Sequence, residues 1–435
     1  MGEGLITMRK RELERLEVVQ KALGGRMRQK EAAEKLKVCT RQVRRIMAKV
    51  RVHGAIGIIH GNRGKPSPRR YPEEFQERVM NLVEEHYADF GPTLAAEKLA
   101  ERDQVTVNRE TLRQWMIEKR VWVPRKDRES GKLYSWRTRK ECKGEMVQSD
   151  GSVHDWLEGR GPRLVLMAYI DDATGDPFAR FYPQETTHAA LDSLRRYVEI
   201  YGIPQSLYFD RNSIYKTTRQ ASVEEQLQGQ SPKTQFEMVL DILKVDAIFA
   251  FSAQAKGRIE RLFGTFQDRL IKEMRLAGIS TLQEANVFLQ EYLPKYRAAF
   301  VIPARNPKDL HRPIPADLDL DWVFAFREQR VIANDFTIAW NNRTFLITHP
   351  SAALKNQRIT VLENLQGQVR IWGHNRFLQC REITRDTLRQ IRQRAAARRA
   401  SRKRVRSHPW KPPLDHPWRR QNKAILAELY AGSRT

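Results

Sequence analysis

Ser206-Leu207-Tyr208-Phe209-Asp210 is a short apolar strand closed by a carboxylate, and its surroundings decide the fold. Upstream, Thr187 to Tyr201 carries Ala190, Leu191, Leu194 and Val198 at helical spacing, and Gly202-Ile203-Pro204 ends that helix. Further upstream, Arg163-Leu164-Val165-Leu166-Met167-Ala168-Tyr169-Ile170 and Pro177-Phe178-Ala179-Arg180-Phe181-Tyr182 read as strands around a Gly-containing turn at 171–176. With the run beginning near Asp150 they form an antiparallel meander. Downstream, 213–233 is polar and Gln-rich, as in a surface loop. Phe236 to Leu243 is helical, Ala247-Ile248-Phe249-Ala250-Phe251 is a strand, and Gly257 to Ala277 is a long amphipathic helix. The order is βββαβαβα, that of a ribonuclease H-like mixed sheet, over residues 140–300.

Three acids stand at the ends of these elements: Asp150 in Met146-Val147-Gln148-Ser149-Asp150-Gly151, Asp210 above, and Glu260 in Lys256-Gly257-Arg258-Ile259-Glu260-Arg261. Carboxylates are hard oxygen ligands suited to Mg²⁺ or Mn²⁺. On the last helix Ile259, Phe263, Phe266 and Leu270 form the core stripe. Lys256, Arg258 and Gln267 lie where they reach a bound DNA end. Asp171 and Asp172 fall in a hairpin turn, where Asp usually bonds its own backbone. His154 is more simply structural than a phosphate contact.

Lys and Arg total 78 against 52 Asp and Glu, a net charge of +26 with pI near 10.2. Such a surplus points to nucleic acid as the neutralising partner. Three widely spaced cysteines argue against both a disulfide framework and a zinc finger, and fit a reducing cytoplasm. With no long apolar run and no apolar leader, neither a membrane span nor a signal peptide is expected. The expected location is the cytoplasm, on the nucleoid.

Residues 1–60 read as a helix-turn-helix domain. After a helix with Leu13, Leu16, Val19 and Leu23, a short helix over 29–36 and a turn at 37–39 lead to a second helix capped by Thr40. Val43, Ile46 and Met47 face inward, while Arg41, Arg44, Arg45 and Lys49 face out for the major groove. An ordinary helical hairpin with a solvated basic face fits the same residues. The basic linker 61–70, with Arg63 and Lys65, suits either the minor groove or a plain hinge. Residues 71–135 form a second helix-turn-helix candidate, with Asn108 as N-cap and Arg109 and Arg113 exposed. Residues 320–382 alternate as short strands, for which a small SH3-like barrel is expected. Residues 383–435 are a basic tail, in which 385–411 carries eleven Lys or Arg against one acid.

The segments Gln148 to Trp156, Tyr208-Phe209-Asp210-Arg211-Asn212 and Lys256 to Arg269 resemble the D, D and E blocks of DDE transposases with an integrase-type core, most closely the bacterial insertion-sequence ISNCY group. The similarity runs from the first helix-turn-helix through the small β domain, and the third block is its most specific string. Two departures from retroviral integrases are the 50 positions between Asp210 and Glu260, matched by the Gln-rich insertion, and the lack of an N-terminal His/Cys knuckle. The resemblance implies that Asp150, Asp210 and Glu260 hold two Mg²⁺ ions, with Mn²⁺ able to substitute. It implies double-stranded DNA as partner, both terminal inverted repeats and target. Hydrolysis would free a 3′-hydroxyl that then joins target DNA by transesterification, and synapsis of two ends implies a homodimer or larger assembly. Two rival functions fit the same basic chain: a DNA-binding regulator that has lost cleavage, and a structure-selective nuclease without strand transfer. The three acids count against the first and the tandem DNA-reading units against the second.

Overall fold

The computed structural model describes residues 7–64, 70–124, 138–221, 226–227, 229, 231–249, 257–405, 413 and 415–417, with side chains described up to 397 in the last helix. Two units divide the chain, Met1–Arg128 and Glu129–Thr435.

In the first unit, α1 (Lys10–Leu23), α2 (Gln29–Leu36) and α3 (Thr40–His53) pack around Val19, Ala32, Val43, Ile46, Met47 and Val50. Both α1 and α2 start where a glutamate three residues into the helix accepts a backbone N–H, Glu12 from Arg9 at 2.9 Å and Glu31 from Arg28 at 3.1 Å. Lys37 ends α2 in the left-handed conformation, φ 50°, which makes the turn into α3. The expected Thr40 cap is corrected. Cys39 holds the cap position without a side-chain bond, and Thr40 is the first helical residue. A thiol is a weak acceptor, so it leaves the first amides of α3 to the Cys39 carbonyl geometry and solvent. Three more helices follow: α4 (Glu73–His86), α5 (Pro92–Arg102) and α6 (Arg109–Glu118). Their buried residues include Val79, Met80, Val83, Leu94, Leu99, Leu112 and Met116. Asn108 caps α6 as expected, its side chain accepting the Glu110 N–H at 2.9 Å.

The second unit opens with β1 (Cys142–Lys143) and then the meander β2 (Val147–His154), β3 (Leu164–Asp171) and β4 (Pro177–Tyr182). After α7 (Thr187–Tyr201), the strands β5 (Ser206–Phe209) and β6 (Asp246–Phe249) add in parallel on the far side of β2, with α8 (Gln235–Leu243) between them. The spatial order is β4-β3-β2-β5-β6, with β2–β3 and β3–β4 antiparallel. This is the expected mixed sheet. β3 is buried along its whole length because helices cover both faces. On one face α7 and α8 pack with Val147, Met167, Tyr169, Leu207 and Phe209. On the other, α9 (Gly257–Leu276) and α10 (Leu282–Phe300) pack with Leu166, Ala168 and Ile170.

Beyond α10, β7 (Asn306–Asp309) pairs with β1, and the one-turn α11 (Leu320–Val323) leads to the small β region. Its strands are β8 (Phe326–Val331), β9 (Thr337–Trp340), β10 (Arg343–Ile347), β11 (Arg358–Glu363), β12 (Val369–Gly373), β13 (Arg376–Leu378) and β14 (Cys380–Ile383). Where a small SH3-like barrel is expected, hydrogen bonding joins these strands into two sheets, β14-β10-β9 and β13-β12-β11-β8, neither of them closed. They share one core of Ile338, Trp340, Phe345, Val361 and Ile371, and the Trp340 Nε1–H donates to Glu363 across the gap at 2.7 Å. The Asn341-Asn342 and His374-Asn375 turns are left-handed at both residues, the conformation that two-residue hairpins need. The basic stretch is not a structureless tail throughout, since Arg385–Val405 forms α12.

Candidate active site

Asp150 and Asp210 come to one level through strand register. β2 and β5 run parallel with Gln148 opposite Tyr208, and each aspartate lies two residues beyond that pair. Adjacent strands are about 4.8 Å apart, so Asp210 leaves β5 next to the strand that carries Asp150. Alternation also settles the face. Val147, Leu207 and Phe209 pack toward α7 and α8, while Ala168, the partner of Asp150, packs against α9. Residues 148, 150 and 208 therefore belong to the α9 side, and Asp210 is the first residue past the end of β5. Asp150 bends toward its own strand, its Oδ1 accepting the Gly151 N–H at 3.1 Å. Asp210 accepts the Asn212 N–H at 3.1 Å, a turn that reverses the chain just past the strand end.

Glu260 is exposed in the first turn of α9, beside the buried Ile259. The start of that helix is tied to the sheet. Gln148 Oε1 accepts the Ile259 N–H at 3.4 Å, and its Nε2 donates to Asp172 Oδ1 at 2.8 Å. Arg258 Nη1 donates to the same oxygen at 2.7 Å, with Asp172 fully buried. Sequence reasoning gave Asp172 only a local turn role. That role belongs to Asp171, which accepts from Thr174 and Gly144, whereas Asp172 reaches the helix that bears Glu260. Among the described residues no group of three or more His, Cys, Asp or Glu side chains is gathered tightly enough to enclose a metal ion. The structure thus puts Asp150 on β2, Asp210 just past the end of the neighbouring β5, and Glu260 in the first turn of α9. Ile259, Phe263, Phe266 and Leu270 are buried as the stripe requires, and Gln267 is half-buried one turn beyond Phe263. Lys256 lies outside the described residues. His154 is exposed, its ring edge-on to Trp156 at 5.6 Å.

Two groups near the aspartates have no signal in the sequence. Glu185, between β4 and α7, places its carboxylate against Gly151, and Tyr215 is buried behind Phe209 with ring centroids 5.2 Å apart. The Tyr215 hydroxyl is pushed well above its usual range, by burial first and then by Tyr169, Glu185, Asp150 and Asp210. Neither stands in a recognisable motif, because both arrive through loop geometry.

In the first unit Arg41, Arg44, Arg45 and Lys49 line the exposed side of α3, with Arg44 Nε donating to Gln29 at 3.1 Å. Arg63 is held by Glu12 at 2.8 Å and by the Thr7 carbonyl at 3.2 Å, while Lys65 lies outside the described residues. On α6 Arg109 is exposed, and Arg113 grips Glu110 through two nitrogens, at 2.9 and 2.6 Å, drawing that carboxyl down to about 2. Among the described residues no helix is long and apolar enough to cross a membrane.

A helix-turn-helix domain family matches residues 14–67, the span of α1 to α3 and the turns after them. The protein y4bF of Sinorhizobium fredii, which carries the name of a transposase, is 40% identical over 346 residues, covering 79% of this chain and 74% of its own length. The transposase for insertion sequence IS1202 of Streptococcus pneumoniae is 25% identical over 442 residues, covering 92% of each. Among solved structures, the magnesium complex of the HTLV-2 integrase catalytic core covers 39% of this chain and 98% of its own at 13% identity and a TM-score of 0.29. The intasome of simian T-cell lymphotropic virus, bound to the PP2A regulatory subunit B56 gamma, covers 57% and 82% at 14% identity and 0.31. Scores this low carry no weight here, and the fold rests on the strand order above. Helix-turn-helix, mixed-sheet core and two named relatives agree, and the chain belongs to the DNA transposases.

Proposed function

We propose that this transposase cuts and joins DNA through Asp150, Asp210 and Glu260, acting with Mg²⁺ or Mn²⁺ on the terminal inverted repeats of its element. The observation that carries this reading is the parallel pairing of β2 and β5, Val147 opposite Leu207 and Gln148 opposite Tyr208, with Asp150 on the α9 side of β2 and Asp210 the first residue past the end of β5. The donor set fits such an ion, being carboxylate oxygen throughout. Asp150, Asp210 and Glu260 would hold such ions, which would supply Lewis-acid stabilisation of the attacking and leaving oxygens in an in-line displacement at phosphorus. The chain's own contribution is positional. β2 carries Asp150, Asp210 follows the end of β5, and the Gln148–Asp172–Arg258 bridge holds the start of α9, which bears Glu260.

In this reading a water oxygen attacks the phosphodiester at the element's end and frees a 3′-hydroxyl. That hydroxyl attacks a target phosphodiester in turn, so each step forms one P–O bond and breaks one. α3 and α6 present Arg41, Arg44, Arg45, Lys49, Arg109 and Arg113 to the repeats and Gln267 reaches toward the cut end, whereas Arg258, expected at the DNA, is instead paired with the buried Asp172. Bringing two ends together requires at least two copies of the chain.

Asp150→Asn, Asp210→Asn and Glu260→Gln each remove one charge with little change of shape. Each is expected to lower cleavage of an end substrate by at least about a hundredfold, the scale of losing one charged group at a reacting centre. Binding of the repeats stays intact in all three. Cleavage at saturating Mg²⁺ by any one of them removes that residue from the site.

A further inference from the structure

The sheet β13-β12-β11-β8 turns Ile359, Val361, Ile371 and Leu378 into the core of the small β region, so alternation turns the residues between them to the other face. On that outward face Trp372 of β12 stands opposite Phe377 of β13 on one side and Thr360 of β11 on the other. Trp372 is 38% exposed and Phe377 48% exposed, with ring centroids 4.8 Å apart and planes at 72°. Single exposed apolar residues need no explanation, but two adjoining open rings on a flat sheet mark a surface that receives something.

Charge identifies the occupant. Arg370, also outward on β12 and exposed, holds its guanidinium 5.5 Å from the centre of the Phe377 ring and 4.2 Å from that of Trp322 in α11. Arg358 is exposed on β11, two residues before Thr360 and on the same face. Among the described residues of these four strands, no Asp or Glu occupies a position in register with this face. Aromatic planes flanked by cations and free of acids fit an anionic chain that carries flat rings. In a double helix the base faces are hidden in the stack, so only an unpaired strand offers bases to the rings and phosphates to the arginines together.

We propose that the outward face of this sheet binds unpaired DNA, stacking bases on Trp372 and Phe377 and pairing phosphates with Arg358 and Arg370. A chain that cuts and rejoins DNA meets such nucleotides wherever an end frays or a strand is released. The stacking is tolerant of sequence, because every base has a π face.

The test is binding of the full chain, without divalent ion, to a fluorescein-labelled oligodeoxythymidine strand and to a random-sequence duplex of equal length, both read by fluorescence anisotropy. Trp372→Ala and Phe377→Leu are each expected to weaken single-strand binding about fivefold to a hundredfold, the scale of losing one stacked base, while duplex binding holds. Trp372→Phe keeps a stacking ring and is expected to retain most of the affinity. Phe377→Leu keeps the apolar area and loses only the π face, so a surface made for a protein partner would tolerate it. Arg370→Gln is expected to flatten the dependence of log affinity for the single strand on log salt by about 0.7, the share of one phosphate. The ratio of single-strand to duplex affinity is taken within each variant, so any loss of folded protein lowers both and cancels. A ratio that stays at the wild-type value in Trp372→Ala and Phe377→Leu overturns the proposal, whether both affinities hold or both fall. Because no cleavage is read, that outcome leaves the reading of Asp150, Asp210 and Glu260 untouched.

Discussion

Asp172 is fully buried and accepts from the Lys140 N–H at 2.9 Å, Gln148 Nε2 at 2.8 Å and Arg258 Nη1 at 2.7 Å. A buried carboxylate is tolerable only when paired and hydrogen-bonded in this way. Arg258→Met removes the guanidinium from this pair, which is expected to cost about 3 kcal/mol of core stability, the lower end for breaking a buried pair. Because Arg258 adjoins Ile259 and Glu260 at the start of α9, end cleavage is expected to fall as well, while repeat binding holds. Arg258→Lys keeps the charge and is expected to recover part of both, measured by denaturant unfolding and by cleavage. Full activity in Arg258→Met would show that the bridge does not position Glu260. At this scale the sequence was legible in part. Asp150, Asp210 and Glu260 stand out because each ends a patterned segment. Asp172 and Glu185 do not, because their partners lie across the sheet and no spacing rule reports a contact between β3 and α9 or between a loop and Gly151.

Elements were most legible where local chemistry marks both ends. α7 begins after Thr186, whose hydroxyl accepts the Ala189 N–H, and stops at Gly202 with φ 92°, so its expected span coincides with the observed one. β4 is bounded by the turn at 171–176 and matches in the same way. The cap of α3 was misread because Thr is the stronger capping residue, yet the turn set by Lys37 places Cys39 at that position. Cys39 has extended backbone angles, φ −75° and ψ 156°, which suit a serine or aspartate equally. Cys39→Asp is therefore expected to stabilise the first unit by about 1 kcal/mol, through a bond to an amide of the first turn and attraction to the helix N-terminus. A rise in the melting temperature of the full chain's first transition checks this; an unchanged or lower value would mean that the α3 start already has its partners. In the small β region alternation gives strand faces but not which strands pair. That choice is made by the two Asn- and His-containing hairpin turns and by Trp340 reaching Glu363.

Charge acts on the whole molecule. Residues 385–411 hold about +10 of the net +26, in a stretch read from composition as a basic tail. Arg385–Val405 of that tail forms α12: Arg and Ala are strong helix formers, the Leu388 N–H donates to the Thr384 carbonyl at 3.0 Å, and Arg392 contacts Asp335 of the β region at 3.4 Å. A helix spaces its arginines regularly and presents them to phosphates at lower ordering cost than a loose chain does, so it is suited to binding DNA of any sequence. The position for removing it follows from the pairing of β14, whose Cys380 to Ile383 lie opposite Ile347 to Thr344 of β10. A cut after Cys380 would strip β10 of most of that pairing, whereas a stop after Thr384 spares it. Truncation there is expected to weaken binding to random-sequence DNA at low salt far more than binding to the terminal repeats, which α3 and α6 read. The slope of log affinity against log salt should flatten by roughly 0.9 for each phosphate that the shorter chain no longer neutralises, and the difference should vanish at high salt. Equal affinity of truncated and full chains for random DNA at low salt would show that α12 faces solvent or protein rather than target DNA.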